Sequence, residues 1–327
     1  MKAIWVDTPG NAAVLKLTEI PNPVMKAGHV RIKIRAAALN RADLLQRRGL
    51  YPPPAGESEI LGLEASGEVL ECAANVQGYE IGERVCALLP GGGYAQEAVV
   101  PAGMLAKIPD NLSFEEAAAI PEAYLTAYSN LVWLGGISPR HRILVHAGAS
   151  GVGTAALQLI RAFGASAIVT AGTQAKRAAC LRLGADVALD YHTGPFVEDV
   201  LSWSNGQGVD IIFDFIGAPY LQQNLRCLAV DGRLIVIGTM GGAKASDLDL
   251  GMLLARRLQI IGTALRSRSL EQKVKLTQEF WGFAFARFQD QSLRPIIDRI
   301  FPLADAADAH LYMESNQNIG KIVLRVD

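Results

Sequence analysis

The sequence predicts an α/β fold in which a doubly wound parallel sheet is joined to an antiparallel, barrel-like β domain. Three observations carry this. Between 142 and 264, six short apolar segments alternate with helical ones. The first 120 residues hold short strands cut up by Gly and Pro. The tail, 265–327, adds a helix, a strand, a second helix and a final strand, which are surplus to a complete six-strand sheet.

The six segments are RILVHA (142–147), SAIVTA (166–171), ADVALD (185–190), VDIIFDFIG (209–217), GRLIVIG (232–238) and LQIIGT (258–263). Their apolarity is continuous, not alternating, as in strands covered on both faces by helices. One crossover, TAALQLIRAFG, places Ala156, Leu159, Ile160 and Phe163 at helical spacing. In the N-terminal part, HVRIKIRAAAL alternates Val30, Ile32 and Ile34 with Arg31, Lys33 and Arg35, which reads as a half-exposed strand. Short strands follow around 64–72, 84–89 and 94–101, the pattern of an antiparallel barrel. Ser113 and Glu116 form a capping box for a helix that Pro121 separates from the next. The tail returns most simply to the N-terminal β domain. The expected domains are therefore 1–120 with 265–327, and 121–264.

Composition narrows the function. The 327 residues carry a formal net charge of −1, with 50% hydrophobic and 19% charged residues. That balance argues against nucleic acid or an anionic membrane as the main partner. No apolar run reaches the roughly 20 residues of a bilayer span. MKAIWVDTPG reads as strand and turn without a signal-peptide core, so a cytoplasmic location is expected. The four cysteines form no C-x-x-C pair, and the five histidines do not join them at metal-ligand spacings. His146 is expected to be structural or orienting.

The turn in ILVHAGASGVG (143–153) is the strongest functional signal. An apolar strand passes through Gly148, Ser150, Gly151, Val152 and Gly153 into a helix. Glycines let a backbone approach an anion, and the helix start offers unpaired N–H groups. This is a dinucleotide cradle. A carboxylate at the end of the second strand would hold a ribose 2′-OH, but no Asp or Glu occurs from 154 to 185. Gly172, Thr173 and Lys176 stand there instead and suit a 2′-phosphate, with Tyr191 as a further donor. NADPH is the expected cofactor. Ligands on such sheets bind at the carboxyl ends of strands. Ile216, Gly217, Gly238 and Met240 are expected there, with Leu265 and Ser267 after the sixth strand. Arg266 reads equally well as reaching the nicotinamide carboxamide or substrate mouth with them or, like Arg268, as a surface charge. Thr126 is expected to start a helical turn facing the pyrophosphate or nicotinamide.

The segments ALNRADLLQRRGLYPPP (38–54), ILGLEASGEV (60–69), LLPGGGYAQ (88–96), AAAIPEAYLTAY (117–128), HAGASGVGTAA (146–156) and NIGKIVL (318–324) together resemble the medium-chain dehydrogenase/reductase superfamily over the full length. Within it the chain is similar to the zinc-free quinone oxidoreductases, in the p53-inducible group related to zeta-crystallin. The resemblance implies a Rossmann domain, a discontinuous GroES-like catalytic domain and a homodimer. The places of the three catalytic zinc ligands hold Asn40, Leu63 and Glu122. One carboxylate cannot hold a catalytic zinc, so none is expected.

By the same resemblance, Asn40 and Tyr51 line the site near the nicotinamide and orient the acceptor, and Tyr51 assists proton delivery. The implied activity is NADPH-dependent reduction of a quinone or similar conjugated acceptor, with hydride passing in a cleft between the domains. Two alternatives stand beside it: reduction of an enoyl or other activated alkene, and an NADPH-binding structural or sensing protein with little catalysis. Gly91–Gly93 reads as a turn or mobile loop.

Overall fold

The structure, a computed structural model, describes residues 1–327. The chain divides into two compact units, Met1–Leu125 with Arg266–Asp327, and Thr126–Leu265. The first unit opens with β1 (Lys2–Trp5), β2 (Lys16–Glu19), β3 (His29–Ala38), α1 (Arg41–Arg47), β4 (Glu64–Cys72), β5 (Arg84–Leu88), β6 (Glu97–Pro101), β7 (Leu105–Lys107) and α2 (Phe114–Ala118). Helix α3 (Pro121–Tyr128) follows. The second unit holds β8 (Arg142–Val145), α4 (Gly151–Ala162), β9 (Ser166–Thr170), α5 (Gln174–Arg182), β10 (Val187–Leu189), α6 (Val197–Trp203), β11 (Val209–Asp214), α7 (Leu221–Cys227), β12 (Leu228–Val236), α8 (Leu250–Arg256) and β13 (Gln259–Gly262). The first unit resumes with α9 (Leu270–Gln289), β14 (Ile297–Pro302), α10 (Ala306–Glu314) and β15 (Lys321–Arg325).

In the first unit the main sheet runs β14-β15-β3-β4-β5-β7, with β6 also on β3. The pairs are antiparallel except β14 with β15. Strand β3 serves two partners along one edge. Its first half, His29–Lys33, pairs with β6, and Ala36–Ala38 pair with β15. Register shifts against β4 near Arg31 and Ile34 supply the bend this needs. Val30, Ile32 and Ile34 are buried as the alternation requires. Ala36 and Ala38 let α2 pack close through Ala118 and Ala119, with Val323 of β15 in the same cluster. The expected capping box is present: Ser113 Oγ accepts from Glu116 N, and Glu116 Oε2 from Ser113 N.

In the second unit all strands are parallel, in the order β10-β9-β8-β11-β12-β13. This is the doubly wound order with its switch point beside β8. Leu144, Ile168, Ile212 and Leu234, one from each central strand, are fully buried in one core. Several strands end earlier than their apolar runs. β11 stops at Asp214, not 217, because the Asp214 carboxylate turns back to accept the N–H groups of Ile216 (2.7 Å) and Gly217 (3.1 Å).

That carboxylate belongs to a buried polar network at the strand ends. Asn224 Nδ2 donates to Asp214 (3.2 Å), and Asn224 Oδ1 lies 2.7 Å from His146 Nε2. His146 Nδ1 lies 3.0 Å from Thr170 Oγ1. Burial lowers the His146 pKa from 6.5 to about 4, so the neutral ring is the native form. Its folded pKa lies below the unfolded value. The stability it contributes is therefore complete above pH 6.5 and is lost as pH falls toward 4. His146→Gln should melt below wild type at pH 7–8, with the gap narrowing between about pH 6.5 and 4 in thermal denaturation. A gap that stays constant with pH would sink the assignment.

Candidate active site

The sequence-predicted residues fall into one group in each unit. In the second unit, β8 passes into α4 through a tight turn. Ala147 takes φ +49°, a left-handed backbone rare for alanine, and marks the strained point. A Cβ on Gly148 would lie 2.7 Å from Val169 Cβ, and one on Gly153 would lie 2.5 Å from the Gly148 carbonyl oxygen. Only glycine fits at either place. Ser150 caps the helix, its Oγ accepting from Gly153 N (3.1 Å). The N–H groups of Gly151 and Val152 are left in the first turn with no intrahelical acceptor.

The end of β9 is built around Gly172. A Cβ there would lie 2.6 Å from Tyr191 Oη, so the tyrosine sits against this glycine. Thr173 caps α5, accepting from Lys176 N (3.2 Å). Thr173 is exposed and Lys176 half-buried. The sequence reading missed Asp190, although it stands directly before Tyr191. Its carboxylate holds Arg177 (2.5 Å) and the ring of His192 (3.0 Å). The His192 N–H, the His192 ring and Arg177 keep its pKa below the ordinary range. The strand ends carrying Ile216, Gly217, Gly238 and Met240 lie side by side: Gly241 N donates to Ile216 O (2.8 Å) and Met240 N to Phe215 O (3.1 Å).

One expectation needs correction, and two open readings are decided. Thr126 does not start a helical turn. It lies well inside α3, buried, with its carbonyl accepting from Ser129 Oγ (3.1 Å). Arg266 is not a surface charge. It is 6% exposed and donates to Pro90 O and Gln46 Oε1. Of the two readings of Gly91–Gly93, turn or mobile loop, the turn fits. Gly92, Gly93 and Tyr94 donate to the backbone of Ile60, Gly62 and Leu61, and the run is buried. Leu265 is buried and Ser267 exposed. They fall on opposite sides of the division between the units.

The site in the first unit is a buried charge cluster that the sequence reading only half saw. Lys321 of β15 lies 2.6 Å from Glu64 Oε1 of β4, both within the protein interior. Its ammonium also donates to Asn40 Oδ1 (2.7 Å) and Leu39 O (2.6 Å). Asn40 Nδ2 in turn donates to Glu64 Oε1 (2.9 Å). The Asn40 amide is thus oriented on both ends by this pair. The other Glu64 oxygen accepts the Glu122 backbone N–H (2.7 Å), which ties the start of α3 to β4.

Asp43 of α1 completes the cluster. It accepts the N–H groups of Asn40 (2.8 Å) and Gly62 (3.1 Å) and the Tyr94 hydroxyl (3.2 Å). Burial nevertheless pushes its pKa up to about 6. Tyr94 also lies 3.1 Å from His310 Nε2, and Arg47 donates to His310 Nδ1 (3.2 Å). A guanidinium only donates, so Nδ1 accepts and Nε2 carries the proton. Burial, with Arg47 and Arg48 nearby, lowers the His310 pKa to about 3.

Two polar groups of this cluster engage no protein hydrogen-bond partner: the Glu122 carboxyl and the Tyr51 hydroxyl. Burial, then the Glu64 charge, pushes the Glu122 pKa up to about 8 against the pull of Lys321. Burial and Glu122 raise the Tyr51 pKa, with Arg266 opposing. The Arg266 guanidinium stands over the Tyr51 ring at 5.1 Å and donates to its carbonyl (3.3 Å).

A model described as "Zinc-binding dehydrogenase" matches residues 151–279, and one described as "Alcohol dehydrogenase GroES-like domain" matches 26–110. The human synaptic vesicle membrane protein VAT-1 homolog is 30% identical over 92% of this chain and 80% of its own length. A phenolphthiocerol/phthiocerol polyketide synthase of Mycobacterium tuberculosis is 30% identical over 99% of this chain, which spans only 15% of that protein. The structure of Escherichia coli quinone oxidoreductase complexed with NADPH is similar at TM-score 0.89 and 28% identity, covering 99% of this chain and 100% of that one. The fold and both sites define a two-domain reductase scaffold, a Rossmann sheet with a GroES-like unit. The chain belongs to the medium-chain dehydrogenase/reductase superfamily, in its quinone oxidoreductase-like family.

Zinc does not fit the residues present. Leu63 offers no donor atom, and the Lys321 ammonium already occupies Asn40 Oδ1 and Glu64 Oε1. No group of three His, Cys, Asp or Glu is placed to hold a metal ion. Removing the ammonium leaves Glu64 buried and unpaired. Lys321→Met should cost about 3–5 kcal/mol in denaturant unfolding, the usual penalty for breaking a buried pair. Combining it with Glu64→Gln should recover much of that loss. An additive double variant would refute the coupling.

Proposed function

We propose that the protein is an NADPH-dependent, zinc-independent oxidoreductase that reduces a quinone or similar conjugated acceptor. The observation that carries this reading is the glycine cradle at α4 combined with the acid-free end of β9. Gly148, Ser150, Gly151, Val152 and Gly153 would hold the pyrophosphate. Gly172, Thr173, Lys176 and Tyr191 would hold the 2′-phosphate; the Asp190 carboxylate is already engaged by the Arg177 guanidinium and the His192 N–H. Ile216, Gly217, Gly238, Met240, Thr126, Leu265 and Ser267 are the further candidate contacts. NADPH supplies the hydride. The chain's own task is orientation and exclusion of water. Tyr51, backed by Arg266, offers a flat ring and an unpartnered hydroxyl to a planar acceptor. Asn40, held by Glu64 and Lys321 at the start of α1, would help orient the acceptor. With no Lewis acid in the reading, an easily reduced conjugated acceptor is favoured over a simple ketone or alcohol. The unpartnered Tyr51 hydroxyl also supports a second reading, reduction of an activated alkene, which needs a proton donor.

We also propose a cytoplasmic homodimer. No helix is long and apolar enough to cross a membrane. All four cysteines are free thiols, as in a reducing compartment. β13 is the edge of the parallel sheet, and its Ile260 is 40% exposed. An uncovered apolar edge invites pairing with a second copy. Light scattering should give a dimer, and Ile260→Lys a monomer. A wild-type monomer at micromolar concentration would remove this part of the reading.

Steady-state assays with ortho-quinones, para-quinones and a crotonyl-type enone, each with NADPH and NADH, test the activity. NADPH should be preferred. Lys176→Glu should raise KM for NADPH about 10- to 100-fold, the worth of one charge-assisted contact of about 1.5–3 kcal/mol, and leave NADH nearly unchanged. A preference for NADH would overturn the cofactor assignment. Faster turnover of the enone than of any quinone would select the second reading.

A further inference from the structure

We propose that Glu122 is the catalytic acid of the acceptor site, delivering a proton from its carboxyl group to the reduced acceptor. The inference rests on the reductase reading above and names a residue for the half of the reaction that hydride transfer leaves undone.

Glu122 is unlike every other acid in the cluster. Asp43 has both oxygens committed, to two backbone N–H groups and the Tyr94 hydroxyl. Glu64 is likewise committed, to Lys321, Asn40 and the Glu122 N–H. The Glu122 main chain is thus pinned while its carboxyl stays unpartnered. The groups facing it come from every neighbouring element. Glu64 on β4 and Asp43 on α1 repel a negative charge there, and Lys321 on β15 and Arg266 before α9 attract one. Lys273 of α9 also senses its charge. Lys321 is already bonded to Glu64, and Arg266 is bonded to backbone carbonyls and Gln46. Neither salt-bridges Glu122. Burial and the Glu64 charge therefore prevail, and the carboxyl stays protonated up to about pH 8. It is partly buried and close enough to Tyr51 for its charge to raise the phenol. A neutral carboxylic acid beside the proposed acceptor-stacking ring is a proton donor at working pH.

The step balances for both acceptor types. When hydride from the reduced nicotinamide bonds to the β-carbon of an activated alkene, the C=C π pair moves into an enolate. The Glu122 O–H bond then breaks, a C–H bond forms at the α-carbon, and the carboxylate left behind is reprotonated by water. With a quinone the same proton goes to the phenolate oxygen of the hydroquinone anion. That oxygen also takes protons readily from water, so the acid matters more for the alkene.

Two measurements test the inference. In the cofactor-free protein, the Glu122 carboxyl is titrated by 13C NMR, with Glu122→Gln to assign the signal. It should titrate near pH 8. Titration in the ordinary carboxylate range overturns the proposal. In steady state, wild-type kcat for the enone should fall as pH rises through about 8. Glu122→Gln should lower it about 100-fold or more and flatten that fall, and Glu122→Asp should restore a pH-dependent rate. If wild type reduces the enone and Glu122→Gln matches it with the same pH profile, this proposal alone fails. If wild type reduces neither enone nor quinone, the reductase reading fails and takes this one with it.

Discussion

A lysine ammonium and a glutamate carboxylate share the interior of the first unit at 2.6 Å, and the local chemistry is arranged around them. Burying two charges is expensive, and the pair is tolerable only when the remaining hydrogen-bonding capacity is met. Asn40, Leu39 and the Glu122 N–H meet it. In doing so they fix the Asn40 amide and bring the start of α3 against β4. The carboxylate that receives all this also faces the Glu122 side chain, and its negative charge helps keep that side chain neutral. One ion pair thus orients the Asn40 amide and places a negative charge beside the Glu122 carboxyl.

The second unit solves a different problem. A doubly wound sheet must leave its strand ends open to a ligand yet hold them rigid. The His146–Asn224–Asp214 network does this from below, linking the ends of β8, β9 and β11 to α7 with a neutral imidazole. In the turn after β8, Gly148 and Gly153 stand where any Cβ would collide with Val169 or the Gly148 carbonyl. The backbone is strained at Ala147, where the chain turns from strand to helix. Such strain persists only because the surrounding network over-determines the turn.

Much of this was legible in the sequence because it is local. Continuous apolarity marks parallel strands, alternation marks β3, and glycines between strand and helix mark the cradle. The return of the tail to the first sheet followed from counting strands. The rest depends on pairings that local pattern does not encode. Nothing in NIGKIVL marks Lys321 as the partner of a buried acid until β15 is set beside β3. Nothing in EASGEV marks Glu64 either. Arg266 stayed open between a site contact and a surface charge because its acceptors, Pro90 and Gln46, are distant in sequence. Asp190 is hidden for a related reason: the ribose-binding acid is expected at the end of the second strand, whereas Asp190 comes from the third.

The cation at the heart of the first unit is supplied by β15, and Lys321 lies 281 residues beyond Asn40 in the chain. A ribosome adds roughly 5–20 residues per second, so on the order of tens of seconds separate the synthesis of the two. Throughout that interval β3 lacks the partner for Ala36–Ala38, and Glu64 has no counter-charge. The second unit, with mostly neighbouring strand pairings, is made whole in the meantime. During biosynthesis, the second unit is therefore complete before the first. A nascent chain interrupted ahead of β15 has a complete parallel sheet and a Glu64 carboxylate without its ammonium.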